Sequence, residues 1–248
     1  MDRNLHFTHR ARPGTLEGVS ASVELAGAAS TSTPWAGHAA GTPTYRRIVA
    51  ALMAGGLANF SLMYFVQPLL PMLATHYGVT PAESAHALSV TTLTIIVGLL
   101  ATGPLADRVG RVPVMRASLL LSGVLGLASA FAPNWPSLLV LRGLLGLTLA
   151  GLPGAALAYL REEVDATSHP RANAAYIAGT AVGGAAGRLL PGPLATVGGW
   201  PLAATAVSLL TVVAGVLLVV LLPPSRGFAP RPASLRTSLL GTFTAPGD

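Results

Sequence analysis

Between two long apolar runs, residues 103–116 read GPLADRVGRVPVMR and hold one carboxylate, three guanidinium groups and two glycines. The carboxylate is Asp107, and the cations are Arg108, Arg111 and Arg116. Arg111 lies four positions beyond Asp107, the spacing at which a helix sets two side chains side by side as an ion pair. Arg108 and Arg111 also suit phosphate groups at a membrane interface. Gly110 suits a turn with positive φ, and Gly103 removes a side chain where a neighbouring helix could approach. Two further cations, Arg142 and Arg188, fall inside apolar runs, where a charge costs a few kcal/mol. They are read as groups that bind an anion or bias the protonation of a nearby acid, the alternative being that they snorkel to the interface. Asn59, Met63 and Gln67 recur at four-residue intervals with Tyr64 beside them. Amides in such a run need partners or a wet cavity. The expectation is that Asn59, Tyr64 and Gln67 line one, interhelical hydrogen bonding being the alternative. No run combines a nucleophile with a histidine, or two carboxylates, so an enzyme is not expected. The histidines at 6, 9, 38, 76, 86 and 169 have no second ligand at metal spacing, so neither metal nor cofactor is expected.

The elements that must hold these residues follow from composition. Of 248 residues, 52% are hydrophobic and 10% charged, with a mean hydropathy of +0.61; a soluble domain carries about 25% charged residues. Six runs reach the roughly 20 residues that cross a bilayer: about 48–71, 86–106, 114–132, 137–159, 172–194 and 200–222. An all-α integral membrane protein of six transmembrane helices is predicted. The connectors near 72–85, 132–136 and 195–199 contain no Arg or Lys. The opposite set carries Arg46, Arg47, Arg108, Arg111, Arg116, Arg161, Arg171, Arg226, Arg231 and Arg236. The positive-inside rule therefore puts both termini in the cytoplasm. The formal charge of +6 then reflects anchors spread between spans, and a lipid bilayer rather than nucleic acid is the expected partner. Residues 1–45 are small, polar and aperiodic and read as a disordered cytoplasmic tail. The six-helix bundle is assigned to 46–225 and a cytoplasmic linker to 226–248.

GPLADRVGR places Gly103, Asp107, Arg108, Gly110 and Arg111 on a G-x-L-x-D-R-x-G-R pattern between the second and third spans. In this it resembles the signature of the major facilitator superfamily, with Val112 where many members have a third basic residue. LLVLRGLLGL looks like the family's fourth-helix motif, with Arg142 and Gly146 in the R-x-x-x-G positions and Leu145 where Gln is common. GTAVGGAAGRLLPGP, with Gly179, Gly183, Gly187 and Arg188, resembles the glycine-rich fifth-helix motif of the drug:proton antiporter branch, without its usual Gly-Pro followed by Gly-Gly. Residues 43–240 look most like the YnfM-type subgroup of bacterial efflux permeases. The three glycines fall at i, i+4 and i+8 and let another helix approach at near-backbone distance; Gly146, Ala150 and Gly154 form a similar stripe.

The resemblance implies a secondary transporter of the bacterial inner membrane, exporting a small solute by alternating access with proton coupling. Its fold has two six-helix halves, each a 3+3 inverted repeat, with substrate bound between them. It implies that the acid at Asp107 holds a cytoplasmic gate against a helix of the second half. No Asp or Glu lies mid-span, so a coupling carboxylate is expected outside this half. The chain is expected to be the N-terminal half, ending before a seventh helix. Its partners are then the missing C-terminal half or a second copy, and an unidentified solute. The alternatives are a non-transporting membrane protein (a gene remnant or an assembly partner) and a half-transporter working as a dimer.

Overall fold

The computed structural model describes residues 35–226. Nine α-helices follow one another there: α1 (Pro43–Tyr64), α2 (Leu70–Tyr77), α3 (Pro81–Ser84), α4 (His86–Val109), α5 (Arg111–Ser129), α6 (Trp135–Leu149), α7 (Gly151–Glu163), α8 (His169–Leu189) and α9 (Pro191–Leu221). They join into the six expected spans. The first is α1 and α2 across the 3-10 turn Gln67–Leu69, the second α3 with α4, the third α5, the fourth α6 with α7, the fifth α8 and the sixth α9.

Local chemistry sets the boundaries. Thr42 caps α1 by accepting from the Tyr45 amide, with Pro43 in the first turn. Thr80 and Glu83 form a reciprocal capping box on α3. Asn134 caps α6 by accepting from the Ser137 amide. Pro68 and Pro71 lack the amides a continuous helix needs, so the first span breaks between α1 and α2 and runs on to Tyr77, beyond the expected end at 71. The sixth helix begins at Pro191 rather than 200 and kinks where Gly199 takes φ +70 ahead of Pro201.

Five of the spans are long and apolar enough to cross a membrane: 43–77, 81–109, 111–129, 135–163 and 191–221. The fifth span differs from expectation in kind. It is helical for 21 residues, but its hydropathy is low because glycine, alanine and polar residues fill it. The reason is its packing against α1, where bulk has no room.

α8 packs on α1, α1 on α9, α9 on α5, α5 on α6, and α6 on α4. The buried core divides along the bundle. One cluster, around Ile48, Leu52, Met115, Leu119, Tyr159 and Leu218, occupies the end where Val109, Arg111 and Glu163 lie. The other, around Leu62, Phe65, Leu69, Leu138, Leu145 and Trp200, fills the opposite end. That second end is ringed by aromatic groups: His76, Tyr77, Trp135 and Trp200 stack with centroids 4.7–5.9 Å apart, as in an interfacial aromatic belt. Outward-facing Leu100, Leu121, Val213 and Val220 cover the flanks.

The expected tail is structured over its last residues. His38 donates its amide to the Glu163 carbonyl (2.8 Å) and accepts from the Asp165 amide (3.1 Å), and the Ala40 amide donates to Ser168 Oγ (3.0 Å). The rest of the predicted tail and nearly all of the predicted linker lie outside the described residues.

Candidate functional site

Charged side chains gather toward the two ends of the bundle.

At the arginine-rich end, the expected loop between spans two and three shrinks to one residue. Asp107 and Arg108 are in the last turn of α4, Arg111 opens α5, and only Gly110 between them is non-helical, with φ +97 and ψ 154. A side chain there would carry the backbone strain that glycine avoids. Because α4 runs on to 109, Asp107 sits on a fixed helix face, and Arg111 Nη2 meets its Oδ1 at 2.7 Å. Arg111 Nε also reaches Glu162 Oε1 at 3.3 Å. The sequence reading missed Glu162, which stands 51 positions away on α7. Arg116, read as a topology anchor, donates from Nη2 to the Val219 and Leu222 carbonyls at 3.0 and 2.8 Å. It thereby serves the carbonyls that end α9. Gly103 meets nothing: a Cβ built there has no described atom within 4 Å. The close helix approach expected at Gly103 is therefore not made within this bundle.

Toward the aromatic end, Arg142 is wholly buried. Its Nε donates to the Ala87 carbonyl (3.1 Å) and its Nη2 to that of Met63 (3.2 Å), and its guanidinium lies 5.2 Å from the Phe65 ring centroid. It does not snorkel; it ties the end of α1 to the start of α4. Nη1 is buried with no hydrogen-bond partner among the described residues. Gly146, one turn on, lets α6 touch α4: its Cβ would collide with Thr94 and the Thr91 carbonyl.

Arg188 differs. It is exposed, and its guanidinium lies 3.7 Å from the Tyr64 ring centroid. Its Nε donates to Gln67 Oε1 and its Nη1 to the Gly184 carbonyl, both at 3.0 Å. Of the three expected cavity-lining residues, Tyr64 and Gln67 thus meet Arg188 on one face. Asn59 does not join them. At 2% exposure it is packed inside the bundle, its Oδ1 without a hydrogen-bond partner among the described residues. The stripe Gly179, Gly183 and Gly187 makes this possible. Cβ atoms there would come within 3.0 Å of backbone atoms of Met53, Leu57 and Ser61, and Ser61 Oγ donates to the Gly183 carbonyl at 3.0 Å.

A family model, Major Facilitator Superfamily, matches residues 52–245. The chain belongs to the major facilitator superfamily. Inner membrane transport protein YnfM of Escherichia coli is 40% identical over 200 residues, which cover 81% of this chain and 48% of that protein. The MFS-type transporter YybF of Bacillus subtilis is 42% identical over 195 residues, covering 79% and 48%. The chain therefore spans about half the length of these curated relatives. Among solved structures, the proton:xylose symporter XylE bound to 6-bromo-6-deoxy-D-glucose superposes with a TM-score of 0.65 over 73% of this chain and 45% of that one, at 14% identity. At that identity the likeness is one of fold. The superfamily's six-span bundle is thus what the described helices form: a multi-pass membrane protein of a transporter family.

Proposed function

We propose that the bundle forms one wall of a solute path through a bacterial inner membrane, both termini on the cytoplasmic side, opposite a second six-helix unit. The observation that carries this reading is the unequal surface of the bundle. The face of α1 and α8 presents Gln67 and Arg188 to the outside beside half-buried Tyr64, while the flanks formed by α5 and α9 present Leu121, Val124, Leu209, Val213 and Val220. Lipid accepts the second surface and not the first. The relatives' doubled length supports a second bundle as the partner, whether it belongs to the same protein or to another chain. Export of a small solute by alternating access is the activity we assign, from the likeness of residues 43–240 to bacterial efflux permeases. Coupling to protons would use a carboxylate on the opposite unit, since the acids described here cluster at span ends.

The chain contains no cysteine, so single cysteines report cleanly. Phe60→Cys, deep on the α1 face, should react in intact cells with a membrane-impermeant maleimide. Val216→Cys, exposed on α9, should stay silent. Thr75→Cys should label from outside, and Val109→Cys only after lysis. Silence at Phe60 or labelling at Val216 would remove the solute path; labelling of Val109 in intact cells would reverse the orientation.

A further inference from the structure

Arg188 is held but not neutralised. Its two hydrogen bonds go to an amide and a backbone carbonyl, and its stacking partner is a phenol ring. Among the described residues, no carboxylate lies within ion-pair distance of it. A guanidinium carries five N–H donors in a rigid fork. Two are used here, leaving three, including both on Nη2. The head is therefore fixed in orientation by Tyr64, Gln67 and Gly184, with an open edge. The ring of Phe60 lies one turn below Tyr64, centroids 6.4 Å apart, so an aromatic surface continues down the same face.

Depth separates this group from an interfacial anchor. Tyr77 in the aromatic belt lies ten positions beyond Gln67, across the 3-10 turn and α2, at most roughly 15 Å of rise. On the other side of the site, α8 is followed by the first turns of α9 before Trp200 is reached. An unneutralised cation below the belt is expensive, unless an anion meets it there.

We propose that Arg188 is the anion-binding residue of the solute path and that the substrate class is a small organic monocarboxylate. The carboxylate takes the open edge of the guanidinium in the paired geometry such forks favour, and the body of the molecule lies along Tyr64 and Phe60. One charge is the natural count. Arg142, the other cation within the spans, is buried and already turned to the Ala87 and Met63 carbonyls, so a dianion would stay half-neutralised. This rests on the reading of the α1–α8 face as a solute path.

The test uses the full chain in nanodiscs of zwitterionic lipid, with benzoate and its neutral isostere benzamide as probes, followed by ligand-observed NMR. Benzoate should bind at least tenfold more tightly than benzamide to the unaltered chain, a comparison that needs no variant. Arg188→Gln should erase the difference, Arg188→Lys should restore part of it, and Tyr64→Leu should weaken both probes several-fold. Adding phosphatidylglycerol to the nanodisc should leave benzoate binding unchanged. Competition by that lipid would make Arg188 a headgroup anchor and overturn the proposal. So would equal affinity for the two probes, no binding of benzoate, or benzoate binding that survives Arg188→Gln unaltered. None of these outcomes touches thiol labelling at Phe60, so the anion site can fail while the solute path stands.

Discussion

Asp107 and Arg142 are both charged groups in a membrane protein, and their surroundings give them opposite weights. The Asp107–Arg111 pair is an i,i+4 contact with side chains 34% and 12% exposed. Pairs of that kind contribute only about 0.3–0.5 kcal/mol, and Arg111 keeps Glu162 when Asp107 is neutralised. Asp107→Asn should therefore leave membrane insertion and the melting temperature in detergent nearly unchanged. In a twelve-span carrier containing this bundle it should abolish export if half-buried Asp107 holds the cytoplasmic gate that the family resemblance implies. Unchanged export would make the hairpin a structural turn only. Arg142 is the reverse case. Removing it takes the side-chain donor from the Met63 carbonyl, a loss on the order of 1–3 kcal/mol for a buried acceptor, while the Ala87 carbonyl keeps the Thr91 hydroxyl. Arg142→Leu should lower the melting temperature by several degrees. Arg142→Lys should not rescue it, since one ammonium cannot span the Ala87 and Met63 carbonyls while lying over Phe65. Full stability of the lysine variant would refute the tie between α1 and α4. The Asp107–Arg111 pairing was legible in the sequence because it is local. Glu162, and the burial of Asn59, were not, because both depend on how distant helices come together.

The spans were legible at the scale of elements, since a twenty-residue apolar run states its own length. Their interruptions were not: Pro68 and Pro71, or Gly198, Gly199 and Pro201, sit inside apolar stretches whose hydropathy hides the break. The fifth span was found by length and by its glycines, although it is the least apolar. Its composition makes a sharp contrast testable. At Gly183 a methyl group would meet the Leu57 backbone, which moves only with all of α1. At Gly192 a methyl group would meet nothing within 4 Å. Gly183→Ala should destabilise by about 1–3 kcal/mol, as overpacking does. Gly192→Ala should be neutral or stabilising by up to about 1 kcal/mol, alanine being the better helix former. Equal melting temperatures for the two variants in detergent would show that α8 does not rest on the α1 backbone. Gly110→Ala, which forces a side chain to φ +97, should cost about 1–3 kcal/mol without altering either flanking helix.

The whole molecule presents one surface that lipid suits and one that it does not. α4 is covered by other helices along only a small part of its length; its exposed Leu93, Ile96, Val97 and Leu100 are as comfortable in hydrocarbon as against another helix. Gln67 and Arg188 are not, and a bare cation at that depth costs a few kcal/mol. Alternating access needs two bundles rocking about a shared site, and one bundle has nothing to rock against. The 248-residue chain by itself should therefore move no solute. Two copies related by an axis along the membrane normal would be the one arrangement that supplies a second wall from the same sequence. Purified chain can be sized in detergent and reconstituted into liposomes, with uptake of labelled benzoate and labelled xylose followed over time. Uptake should match protein-free liposomes for both probes, whatever the sizing result. Saturable uptake of either one, with no second polypeptide present, would overturn this prediction; a dimer on the sizing column would then identify the chain as a half-transporter complete in two copies.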